Sequence, residues 1–459
     1  MKLKSNNQSK KILFSAALFF ILALNFTIVS CSSQKIEISE KDFDPDVVQL
    51  VNQMTLREKI GQLILLNFRY QKAAKSTTGS TEFMYHDGTK IYVTPLKEIN
   101  PTVISAIQNY HIGSVILFGE NFLNTDNALI FISKLKEASY KNGDPQLLIG
   151  VDQEGGRVNR IKQYAVFPPA MTIGNSGDLK NAYLEGQYIA EQLNAFGINL
   201  DFAPVCDVNS NPKNPVIGDR SFSSKPDKAA EFSNSFQKGM SSKKVIPCAK
   251  HFPGHGDTDL DSHYDLPQIK KTKTQWLECE ALPFKTNISS GIPMIMSAHI
   301  QYPALDSSRI TALRTGKSIL RPATLSKKIL TNILRGELGF KGVICTDDLS
   351  MRAISSNFTE SQTAIEALNA GADLLCDPVF VLCADDVKRL ESLYTDIENA
   401  VKTGKLPLSR INESAMRIIQ LKKNYDILNE PFVPMTKAQI ENAKQQLSSP
   451  KHKAFTSQF

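Results

Sequence analysis

Titratable side chains crowd into one short stretch of this 459-residue chain, "KHFPGHGDTDLDSHYDLP" at positions 250–267. Three of the seven histidines, His251, His255 and His263, lie there among Asp257, Asp259, Asp261 and Asp265. Pro253, Gly254 and Gly256 oppose a helix over this stretch, so the groups are expected on an irregular loop. Such residue types serve a metal site, a proton-transfer site or a solvated loop, and composition alone does not choose among them.

The elements that must carry the loop are read from apolar periodicity. Strand-length apolar runs recur at 61–68, 112–118, 146–152, 198–205, 245–252, 292–300, 342–349 and 371–377. Amphipathic stretches separate them, among them 127–143, 181–197 and 324–339, each ending in glycine as helices often do. Continuous apolar strands alternating with such helices predict a parallel sheet covered on both faces, and eight strands predict a single (β/α)8 barrel. No GxGxxG or P-loop pattern follows an early strand, which argues against a nucleotide-binding sheet.

Polar residues gather where the runs end: Asp152, Asp201, Asp207, Lys250, His251, His299, Asp347 and Asp377. In a barrel these ends share one face, the face that carries active sites. Residues 69–100 form a long polar insertion after the first strand, expected either as a functional loop over the mouth or as a disordered surface loop. A further helix is expected around "TKAQIENAKQQL" in the tail, 431–459.

At this point the residues carry a resemblance. "VDQEGGRVNR" (151–160), "NPVIGDRSF" (214–222), "KHFPGHGDTDLDSH" (250–263) and "TDDLSM" (346–351) make the chain resemble glycoside hydrolase family 3. It looks most like the β-N-acetylglucosaminidase branch, enzymes of peptidoglycan recycling. The resemblance implies Asp347 as the nucleophile of a covalent glycosyl-enzyme and His263 as general acid/base, oriented by Asp261. It implies Asp152, Arg160, Arg220, Lys250 and His251 as the residues that hold the sugar hydroxyls and the acetamido group. Two-domain members of the family take their acid from a second domain. This chain is expected to lack that domain and to supply the acid from the barrel.

The chemistry of the side chains agrees with these roles. A nucleophilic carboxylate and a proton donor must flank the scissile bond. Asp347 is expected at a strand end, where its position is rigid. In "DSH" the carboxylate and imidazole stand at i and i+2, so an extended loop turns both the same way. The carboxylate then holds the tautomer and supports the imidazolium. Asp348 is expected to make a structural hydrogen bond or salt bridge, His255 and Asp257 to knit the loop's backbone, and Asp259 and Asp265 to be solvated. His299 is expected either on the pocket floor or as a satisfied core histidine, and Arg157 to face solvent or an acidic neighbour.

The N-terminus reads as an export signal. Lys2, Lys4, Lys10 and Lys11 precede an uncharged stretch, 12–29, that ends in a lipobox-like "IVSC". Residues 1–30 are expected to be a signal peptide, Cys31 the lipidated residue that anchors the protein to a membrane, 31–44 a tether, and 45–430 the catalytic domain. Losing those four lysines lowers the net charge from +7 to about +3, too little to suggest nucleic acid as a partner. The six remaining cysteines form no CxxC and no zinc spacing. Pro253 and Gly254 also break the helix that would aim His251 and His255 at one metal, so no metal or organic cofactor is expected. The expected partner is an N-acetylglucosamine-containing carbohydrate, bound by a monomer. Competing readings are a phosphorylase or β-glucosidase of the same family, a metal-dependent hydrolase, and a non-catalytic sugar-binding lipoprotein.

Overall fold

Short strands that are apolar on both faces leave no side for water, so they pair in parallel under a coat of helices. The computed structural model describes residues 40–85, 88–258 and 266–459, and its centre is eight such strands. They are β1 (Ile64–Asn67), β2 (Ser114–Leu117), β3 (Leu148–Val151), β4 (Leu200–Asp201), β5 (Ile246–Phe252), β6 (Met294–Ser297), β7 (Val343–Thr346) and β8 (Leu375–Cys376). Each pairs in parallel with the next from β1 to β7, and β1 pairs with β8. The ring is nearly closed by the Cys345–Leu374 bridge and by the Thr346 N–H donating to the Leu374 carbonyl at 2.9 Å. All eight expected strands are present, and the fold is the (β/α)8 barrel.

Two of the expected helices end where their glycines stand. Thr125–Asn142 stops at Gly143 (φ 76°) and Leu179–Phe196 at Gly197 (φ 81°), both left-handed C-caps. The stretch 324–339 differs from expectation. It is a 3-10 turn, Ala323–Leu325, followed by a π-helix, Lys328–Glu337. The break falls at Ser326, whose hydroxyl donates to Asp306 at 2.6 Å and accepts the Ile329 N–H at 3.1 Å. That side chain caps the second helix and removes the residue from the first.

The insertion is neither a loop nor disordered in its described part. Its strands Tyr70–Ala73, Lys90–Pro95 and Thr81–Met84 form an antiparallel sheet in that order. Tyr85 and Val93 pack with Leu382, beside Phe83 and Phe380. The Tyr85 hydroxyl also donates to Asp386, 2.9 Å from Oδ2. The sheet is therefore seated on the segment after β8, more than 280 residues away in the chain. The tail bears its expected helix, Lys437–Leu447, capped by Thr436, and a second, Pro450–Thr456. Cys206, Cys248, Cys345 and Cys376 are buried free thiols, and Cys279 and Cys383 are half-buried free thiols.

At the amino end of β8, the wholly buried Asp373 gathers Arg335, Arg410 and Arg417. It also accepts the Ile344 N–H and the Ser414 hydroxyl, each at 2.9 Å. Burial opposes its charge, but the guanidinium groups hold its carboxyl well below the usual range. This cluster ties helix Leu408–Asn424 and helix Lys328–Glu337 to the barrel. Asp373→Asn, which leaves three buried guanidinium groups short of a counter-charge, should lower the unfolding free energy by about 3–5 kcal/mol in urea titrations at pH 7.

Candidate active site at the carboxyl end of the barrel

Asp152 follows β3 directly and Glu154 comes two residues later; both reach Lys250 on β5. The Lys250 Nζ lies 2.8 Å from Asp152 Oδ1 and 2.6 Å from Glu154 Oε1. Arg220, from the turn Gly218–Arg220, donates Nε and Nη2 to the two oxygens of Glu154, each at 2.7 Å. Arg160 Nη2 sits 3.2 Å from Asp152 Oδ2, with its guanidinium over the Phe118 ring. The result is one wall of alternating charge: Arg160, Asp152, Lys250, Glu154, Arg220.

Burial opposes the charges of Asp152, Glu154, Lys250 and Arg220, and proximity wins. Lys250 and Arg160 hold the Asp152 carboxyl well below its usual range. Arg220 and Lys250 bring Glu154 down to about 2. Asp152 and Glu154 raise Lys250 above an ordinary lysine, so it is a fixed cation rather than a proton carrier. Gly155 makes the turn that lets Glu154 face inward: its φ is 84°, and a Cβ there would stand 2.5 Å from the Pro168 carbonyl.

His251 enters the cavity from β5 with its orientation set from behind. Its Nδ1 lies 2.6 Å from Oδ2 of the wholly buried Asp207, and the His255 N–H donates to Asp207 Oδ1 at 2.6 Å. With Nδ1–H given to the carboxylate, Nε2 is left on the cavity side, 3.5 Å from Arg220 Nη2. His255 knits the loop as expected, with Nδ1 at 2.8 Å from the Thr258 hydroxyl and its carbonyl accepting from Asn214. Burial pushes its imidazole down to about 4, so it is neutral at pH 7. Asp257 pairs loosely with Lys271, at 3.8 Å.

Asp347 follows β7. Its N–H donates to the Ser297 carbonyl at 3.1 Å, and its Oδ1 accepts the Asp348 N–H at 2.8 Å. Asp348 Oδ1 accepts the Ser350 N–H at 2.8 Å, the structural bond expected of it. His299 is the core histidine: it is fully buried, with Nδ1 2.9 Å from the Thr324 hydroxyl and Nε2 2.9 Å from the Asp348 carbonyl. It braces the strand end that presents Asp347. Arg157 lies at the surface, paired with Asp219 at 3.0 Å. Asp201 is buried in the barrel, accepting the Gln153 N–H at 2.9 Å.

Asp152, Arg160, Arg220, Lys250, His251 and Asp347 thus line one cavity of about 270 Å³. Cys31, Asp259, Asp261, His263 and Asp265 lie outside the described residues. Sequence reading missed Glu154, Asp207 as the support of His251, and Phe118. Glu154 stood inside the quoted "VDQEGGRVNR" motif, and its spacing of two from Asp152 was the available signal.

Residues 55–421 match the glycosyl hydrolase family 3 N-terminal domain, and the chain belongs to that family. It is a homologue of β-hexosaminidases. It is 36% identical over 409 residues to beta-hexosaminidase A of Pseudoalteromonas piscicida, covering 87% of this chain and 65% of that protein. It is 33% identical over 320 residues to a beta-hexosaminidase of Nitrosomonas eutropha, covering 68% of this chain and 85% of that one. The fold is similar to a solved family 3 beta-N-acetylglucosaminidase from Paenibacillus sp., with TM-score 0.71 and 30% identity over 86% of this chain and 68% of that one.

The pairing of Glu154 fixes a pH dependence. Its depressed pKa stabilises the fold fully above the unfolded value, and that contribution is lost as pH falls from about 4.3 toward its folded value of about 2. Glu154→Gln should therefore cost about 3 kcal/mol at pH 7, and the gap to the parent chain should narrow below pH of about 4 in denaturant titrations.

Proposed function

We propose that this protein is a retaining β-N-acetylhexosaminidase that releases terminal N-acetylglucosamine from peptidoglycan-derived glycans. The observation that carries the reading is the shared cavity: Asp347 at a rigid strand end, beside a wall of fixed, paired charges that can receive sugar hydroxyls. The kinship with β-hexosaminidases supports the acetamido sugar as substrate.

In this mechanism the Asp347 carboxylate attacks the anomeric carbon as the bond to the leaving oxygen breaks, and the His263 imidazolium gives that oxygen its proton. The now neutral His263, held by Asp261, takes a proton from water. That water attacks the anomeric carbon and frees the Asp347 carboxylate. Lys250, Arg220 and Arg160, with Asp152 and His251, bind the sugar. Export and a lipid anchor at Cys31 would place the enzyme among cell-wall fragments.

Asp347→Asn should lower kcat on p-nitrophenyl N-acetyl-β-glucosaminide by at least about a thousandfold, with the thermal midpoint retained; near-normal turnover would remove Asp347 from the nucleophile role. His263→Ala should lose about 10²–10⁴-fold on substrates with poor leaving groups and far less on the nitrophenyl glycoside. Equal losses on both would make His263 a binding residue only. Cys31→Ala should move the protein from the membrane to the soluble fraction of fractionated cells, and retention in the membrane would assign anchoring to 12–29.

A further inference from the structure

One polar side chain in the cavity has no part in the chemistry above. Asp377 follows β8 with its backbone in the left-handed region, φ 45°, which side chains other than glycine seldom adopt. It is 1% exposed and lines the same cavity as Asp347. Its Oδ1 accepts the Asn67 N–H from β1 at 2.6 Å. Its Oδ2 is buried and has no hydrogen-bond partner among the described residues. A buried polar oxygen at a cavity wall without a partner is costly, and a left-handed aspartate adds to that cost. Both costs are accounted for if the cavity's occupant supplies the partner.

We propose that Asp377 is a substrate-contacting residue whose Oδ2 forms a hydrogen bond with a ring hydroxyl of the bound sugar. The chemistry of its surroundings sets the direction of the bond. Asp348 and Asp347 stand at the adjoining end of β7, and Asn67 on β1 brings its backbone N–H to Oδ1 and its side-chain amide close to the same carboxyl. The nearby cations Lys250, Arg160 and Arg220 are engaged by Asp152 and Glu154. Burial and the charge of Asp348 push the Asp377 carboxyl well above its usual range, which favours its neutral form. The neutral acid donates through Oδ2, and the sugar hydroxyl accepts. A sugar lacking that hydroxyl leaves a buried donor unpaired, which is how a site rejects a deoxy analogue. The contact deepens the glycosidase reading and rests on it for the identity of the sugar.

The test is titration calorimetry of N-acetylglucosamine and its 3-, 4- and 6-deoxy analogues against the full chain, Asp377→Gly and Asp377→Asn. Glycine is the safe truncation, because the left-handed backbone suits it. Asp377→Gly should bind N-acetylglucosamine about tenfold more weakly, while one deoxy analogue binds the parent and the glycine variant alike. Asp377→Asn, whose amide restores an N–H donor, should recover most of the loss. Binding by Asp377→Gly within about twofold of the parent, or an equal loss on all four sugars, overturns the contact. An asparagine variant as weak as the glycine variant overturns the donor role. Turnover of the nitrophenyl glycoside by the parent chain separates the two readings. Turnover with sugar binding unchanged in Asp377→Gly removes this contact alone, and sugar binding with the selective deoxy effect but no turnover removes the glycosidase reading alone.

Discussion

Lys250 is a cation with its side chain removed from water in the middle of a barrel strand, and the arrangement of the pocket follows from the need to neutralise it. A buried ammonium is tolerated only beside anions that lose less by being buried with it. Asp152 and Glu154 meet that need together, which leaves an excess of negative charge at the other side of each carboxylate. Arg160 and Arg220 answer it in turn. The chain of charges is therefore self-consistent only as a whole. Its consequence for function is rigidity, since no member can rotate toward a substrate without exposing its neighbour. Hydroxyl groups can bind to such a wall through its spare lone pairs and protons without rearranging it.

The backbone supports that wall from two directions. Gly155 turns sharply under the Pro168 carbonyl, where a larger residue would collide. Asp207 gathers the backbone of the loop after β5 and the ring of His251 into one buried carboxylate. The far end of the barrel repeats the logic with the signs exchanged, Asp373 holding three guanidinium groups, two of which also pair with Glu413. The two clusters differ in purpose. Asp373 is saturated by protein donors, whereas the pocket at the carboxyl end leaves polar atoms available to a ligand.

Much of this was legible in the sequence, for identifiable reasons. Strands buried on both faces must be apolar throughout, so their eight runs stand out. Gly143 and Gly197 mark helix ends because the left-handed cap excludes a side chain. Strand ends carry the polar residues of a barrel, so Asp152, Lys250, His251 and Asp347 could be named. Other features were not legible. The insertion read as a loop because its strands are short and mostly half-buried or exposed, and the apolar partners that seat it, Phe380 and Leu382, come from beyond β8. The helix expected over 324–339 breaks at Ser326 because Asp306, twenty residues away on the other side of a hairpin, takes its hydroxyl.

The sequence by itself determined the class of the fold, the family and the set of side chains available for chemistry, because periodicity and motif spacing are local properties of the chain. Only the tertiary structure decided which of those side chains act on one another. Glu154 became part of the wall because Lys250, ninety-six positions later, lies within 2.6 Å of it. Asp207 became the support of His251 across forty-four positions, and Asp377 was brought to the cavity by the near closure of the barrel between β7, β8 and β1. Electrostatic neutralisation and burial are properties of distance in space. The sequence orders residues along a line, and the barrel folds that line into the short distances at which charges count.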